Sequence, residues 1–70
     1  MKFNPEALEA AMQAKDDMTV ELLAGLSGVS YQTVYRAVRG LHEPAGGAVV
    51  AMAGVLDVDV ATLYTENGAA

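Results

Sequence analysis

Apolar residues recur along this chain at helical spacing, in short runs separated by polar or glycine-bearing breaks. Leu8, Ala11 and Met12, with Lys15 one turn on, mark a first helix; Asn4 is placed to cap it, and Pro5 suits its first position. Glu6 and Glu9 fall in its early turns, where the helix dipole favours acids. Asp16-Asp17 interrupts the pattern, Thr19 offers a second cap, and Leu22, Leu23 and Leu26 predict a short second helix ending near Ser27-Gly28. Ser30 caps a third run, Tyr31 to Arg39, which Gly40 closes by adopting the left-handed conformation. Thr33, Val34 and Val38 alone favour a strand, but the cap, the closing glycine and the apolar spacing at 29, 34, 37 and 38 fit a helix better.

Leu41 to Gly47, with Pro44 and two glycines, reads as a loop. Ala48 to Leu56 is almost wholly apolar and reads as a buried fourth helix, with room to begin a turn earlier. Asp57-Val58-Asp59 breaks it, and Asp59 caps a short last helix through Leu63 and Tyr64. Met12, Met18 and Met52 read as core filling. Neither an internal repeat nor a linker interrupts the pattern. The expectation is an all-α fold, a compact bundle of about five short helices. One domain occupies residues 1–65, and 66–70 form a frayed tail.

Composition narrows the possibilities. Seventy residues allow one small domain of limited burial, and with 53% hydrophobic and 19% charged residues this is a folding sequence. The absence of cysteine excludes a disulfide scaffold, a thiol nucleophile and a zinc finger. Met1 to Glu6 has no apolar core of a signal peptide, and no apolar run is long enough to span a bilayer, so the expectation is a soluble intracellular domain. The net charge of −5 argues at first against nucleic acid, yet its distribution is uneven. Residues 22–42 hold Arg36, Arg39 and His42 and no acid, or +2 with His neutral; Lys2, Lys15 and all nine acids give the remainder −7. One surface is therefore left on which an anion can dock.

The two short helices on either side of Ser27-Gly28-Val29 suggest a helix-turn-helix over 19–39. Ala24 is small enough for a close crossing, Gly28 can take a positive φ, and Val29 and Val34 point inward. The outer face of the second helix of the pair then carries Tyr31, Gln32, Thr33, Tyr35, Arg36 and Arg39.

The stretch from Thr19 to Gly40, continuing through Pro44, Val49, Val50, Ala53, Leu56, Val58 and Leu63, resembles the phage repressor/Cro-type helix-turn-helix proteins, a family also described as xenobiotic-response-element-like. The resemblance covers roughly residues 7–64 and implies a lambda-repressor-like DNA-binding domain with its recognition helix at about 30–39. It implies a double-stranded DNA operator, an inverted repeat read by a homodimer, with the recognition helix in the major groove. By motif position, Tyr31, Gln32, Thr33 and Arg36 fall on base-reading positions, and Thr19, Ser30, Tyr35, Arg39 and Lys15 on the DNA backbone. Gln32 suits adenine and Arg36 suits guanine, each worth about 1–3 kcal/mol of discrimination. Val58, Val60, Leu63 and Tyr64, apolar and clustered late in the chain, are the expected dimer contact.

Three departures stand out. Val20 occupies a position where many members carry a phosphate-contacting Gln, Val38 one where Glu is frequent, and Ala45-Gly46-Gly47 replaces a better helix start. With only four Lys and Arg in the chain, two phosphate contacts per subunit give a dimer a salt slope of about −3.6.

An enzyme is not expected. The one histidine has no nucleophile beside it, Gly46-Gly47 lacks the Lys of a phosphate loop, and Glu6 and Glu9 make a poor acid–base pair. No cofactor, metal or small-molecule ligand is implied. The leading expectation is a sequence-specific transcriptional regulator, a Cro-like or small immunity repressor that occludes a promoter. The alternative is the same fold used as an acidic protein-interaction module, an adaptor or anti-repressor, which the net −5 favours.

Overall fold

The computed structural model describes residues 2–65. A two-residue strand β1 (Lys2–Phe3) leads into four helices, α1 (Pro5–Ala14), α2 (Val20–Ser27), α3 (Tyr31–Arg39) and α4 (Gly46–Leu56). A 3-10 turn, Val60–Leu63, and a second two-residue strand β2 (Tyr64–Thr65) complete the order. The fold is all-α in its bulk, with four α-helices where about five helices were expected. The fifth is the 3-10 turn. Asp59 caps it as anticipated, accepting from the Ala61 N–H at 3.1 Å, but four residues allow only the tighter winding.

Helices α1, α2 and α3 each begin at a side-chain cap, and local backbone bonds close the helices. Asn4 Oδ1 accepts from the N–H groups of Glu6 and Ala7, and Pro5 opens α1 without losing a bond. Thr19 Oγ1 accepts from Leu22, and Ser30 Oγ from Thr33. Gly28 stops α2 at φ +77° and Gly40 stops α3 at φ +71°, both left-handed. After α3 the Leu41 N–H donates to the Arg36 carbonyl and the Gly40 N–H to that of Ala37, the paired bonds of a Schellman close. Asp57 repeats this after α4 at φ +60°, with the Val58 N–H reaching Ala53. Asp16 and Asp17, both at positive φ, make the turn after α1, a conformation short carboxylates tolerate better than most side chains.

The core draws on every helix: Leu8 and Met12 from α1, Leu23 and Ala24 from α2, Val34 and Ala37 from α3, and Val49, Met52, Ala53 and Leu56 from α4. Phe3 and Leu63 close it from the two ends of the chain. Met18 packs against its edge. No polar or charged side chain is buried among the described residues, so every charge is at the surface.

Two features depart from the sequence reading. Helix α4 starts at Gly46, within the earlier turn the sequence left open to it, behind Ala45, which supplies no side-chain cap. It is not buried all round: Val50 is 58% exposed, and Gly46, Gly47 and Gly54 face solvent. In this helix the inner and outer faces differ in side-chain size rather than polarity. The second feature is the antiparallel pairing of β1 with β2, which sets Lys2 against Thr65 and Phe3 against Tyr64. The Asn4 N–H extends the pairing to the Leu63 carbonyl at 2.8 Å, and the Phe3 and Tyr64 rings meet edge to face at 6.0 Å. Thr65 is thus held in a strand, and the expected tail at 66–70 lies outside the described residues.

Candidate nucleic-acid interface

Helix α3 packs its Val34 and Ala37 side against α1 and α2. Its remaining faces hold Tyr31, Gln32, Tyr35, Arg36 and Arg39 exposed and Thr33 half-buried, the set read from the sequence. No acid lies on this helix, and its two arginines are in the last turn, where they also complement the dipole.

Hydrogen bonding assigns the polar groups at its start. Ser30 Oγ accepts from the Thr33 N–H at 3.2 Å and donates its own proton to Thr33 Oγ1 at 2.8 Å. Its hydroxyl is thereby fully engaged in capping. The donor left over there is the Thr33 hydroxyl. Thr19 differs: it accepts from Leu22 at 3.1 Å and its proton stays available. The first N–H groups of α2 and α3 have no intrahelical acceptor, and they add fixed positive dipole ends.

An aromatic ladder runs along α3. The Tyr31 and Tyr35 rings stack at 6.2 Å with 11° between their planes. The Arg39 guanidinium lies 5.5 Å from the Tyr35 ring centroid, and its Nη1 donates to Tyr35 Oη at 3.3 Å. The spacing of four residues at each step is the sequence signal for this arrangement.

Beside α3 an open groove is lined by Val29, Thr33, Arg36, His42, Pro44, Ala45 and Ala48. Arg36 and the loop residue His42 both line it. A second groove, lined in part by Met12, Met18, Val20 and Val38, explains two of the departures. Val20 and Val38, each apolar where a polar residue is usual, are both half-buried against the same edge of the core. Lys15 caps the end of α1 and is exposed, but Asp16 and Asp17 follow directly, leaving that corner at −1.

The late apolar cluster is rearranged relative to expectation. Leu63 is fully buried and offers no surface, since the 3-10 turn directs it into the core against α1 and α4. Val58, Val60 and Tyr64 are half-buried around it. The large apolar side chains that do face solvent include Leu22 and Leu26 on α2, Leu41 and Val50. Among the described residues no group of three or more His, Cys, Asp or Glu is placed to hold a metal, and no helix is long and apolar enough to cross a membrane.

Two short capped helices joined through a left-handed glycine, the second displaying an acid-free polar row, define a helix-turn-helix domain. A helix-turn-helix family model matches residues 8–63, and the chain belongs to that family, whose domains bind double-stranded DNA and regulate transcription. The matched span runs from α1 through the 3-10 turn and leaves the β1–β2 pairing outside it. No curated protein and no solved structure matches the chain.

Proposed function

We propose that this protein is a Cro-like or small immunity repressor, working in the cytoplasm of a bacterial host. As a homodimer on an inverted repeat it lays α3 in the major groove and occludes a promoter. The observation that carries the reading is the outward row of α3, with Tyr31, Gln32, Arg36 and Arg39 exposed on a helix fixed at both ends and free of acids. Gln32 reads adenine and Arg36 guanine, each contributing about 1–3 kcal/mol of discrimination. Tyr31 and Thr33 complete the base-facing set. Arg39, Tyr35, the Thr19 hydroxyl and the N–H groups opening α2 and α3 hold phosphates, while Ser30 acts through the cap it provides. Lys15 adds a weaker contact. Half-buried Val58, Val60 and Tyr64 form the dimer contact around buried Leu63.

Selection of bound duplexes from a randomised library at low salt tests this. An enriched inverted repeat with centres about 10 bp apart is expected. Arg36→Ala should keep the fold and lose preference for guanine at one position in each half-site. A single enriched half-site would remove the dimer. No enrichment from folded protein would favour the acidic protein-interaction module, the reading to which the net charge of −5 otherwise points.

A further inference from the structure

We infer that Tyr35 is a positioning residue that joins phosphate contact and base reading into one unit. Three contacts converge on it. Its ring is stacked on Tyr31 at 6.2 Å, lies under the Arg39 guanidinium at 5.5 Å, and carries the hydroxyl that accepts from Arg39 Nη1 at 3.3 Å. Tyr31 is 53% and Tyr35 38% exposed, so little else restrains either ring.

Arginine is rotamer-rich, and ordering such a side chain on binding opposes affinity. Tyr35 orders Arg39 beforehand. The bond uses one of the five guanidinium donors and leaves the rest for an anion. Accepting from a cation also polarises the Tyr35 hydroxyl, whose own proton is then a stronger donor to the same anion. On the other side of the ring, the stack fixes the plane of Tyr31 and so the edge that Tyr31 turns toward a base. A phosphate held by Arg39 and Tyr35 is in this way linked, through one rigid ring, to the base beneath Tyr31. Without Tyr35, the two ends of the ladder move independently.

This rests on the DNA reading above, and the experiment separates the two. In the full-length free protein, NMR is used to follow the ring protons of Tyr31 and the side-chain protons of Arg39 in wild type, Tyr35→Phe and Tyr35→Leu, with circular dichroism confirming the fold. Ring-current shifts are expected in wild type and in Tyr35→Phe, and their loss in Tyr35→Leu. All three proteins then select from the randomised duplex library. Tyr35→Phe, which keeps the ring and drops the hydroxyl, is expected to bind about 3- to 10-fold more weakly with base preferences unchanged. Tyr35→Leu is expected to flatten the preference at the position under Tyr31 by about 10-fold as well. Absence of the shifts in wild type overturns the inference, as does a Tyr35→Leu pool with the wild-type preferences at every position. Shifts present in a wild type that enriches no duplex would overturn the DNA reading itself, and the role of Tyr35 with it.

Discussion

The turn between α2 and α3 depends on one backbone conformation, and glycine-to-alanine changes three residues apart should have opposite signs because of it. Gly28 sits at φ +77°, ψ +6°, and a Cβ built there meets nothing within 4 Å. Any effect of Gly28→Ala is therefore backbone strain and not a clash. The left-handed conformation costs a non-glycine residue about 1–2 kcal/mol. The lower entropy of unfolded alanine offsets about 0.4–1 kcal/mol of that. The net is a loss of about 1 kcal/mol. At about 2.1 cal/mol/K per residue, a chain of this size has an unfolding entropy near 0.15 kcal/mol/K, so Tm should fall by about 7 °C. Gly25, inside α2, also has open space at its Cβ position but no positive φ. Gly25→Ala should raise stability by about 0.5–1 kcal/mol. Gly28→Asn should cost less than Gly28→Ala, since asparagine tolerates the left-handed region better. Thermal melts followed by circular dichroism compare the three variants. A neutral or stabilising Gly28→Ala, or an asparagine costlier than alanine, would refute the turn geometry and with it the crossing of the two helices.

Two further tests address Leu63 and Ser30. Leu63→Ala should destabilise the monomer by about 2–5 kcal/mol, because a fully buried side chain is removed from the core; equal unfolding midpoints for variant and wild type in urea would place Leu63 at the surface instead. Ser30→Ala should cost about 1 kcal/mol through loss of the cap on Thr33, measured in the same titration. Its salt slope for duplex binding should stay at the wild-type value, since the Ser30 side chain touches no phosphate in this reading, and a shallower slope would contradict that.

Most of the helical scaffold was legible because its signals are local. Asn4, Thr19, Ser30 and Asp59 cap where their neighbours' spacing placed them, and Gly28 and Gly40 close helices by a conformation the sequence announces. The outward row of α3 followed from the same period, since placing Val34 and Ala37 inward turns Tyr31, Gln32 and Arg36 outward. What escaped depends on partners distant in sequence or on geometry finer than a period. Two-residue strands have no periodicity to read, so the pairing of Phe3 with Tyr64 had no signal. Helix α4 carries no polar residue to mark its outer face, which hid the exposure of Val50. Leu63 looks like surface when grouped with Val58 and Val60, and only the winding of the 3-10 turn turns it inward. Nothing in a sequence shows that Thr33 Oγ1 accepts the Ser30 proton.

The pairing of Lys2 with Thr65 gives the domain a property useful in engineering. These two residues lie on adjacent strands, so a unit cut at them can be spliced into a surface loop of another protein without stretching its host. By the same geometry a short glycine-serine bridge could join Thr65 to Lys2, and the exposed Asp16-Asp17 corner supplies a place to open a new pair of termini. Such a permuted form would present α3 unchanged while moving both attachment points to the far end of α1.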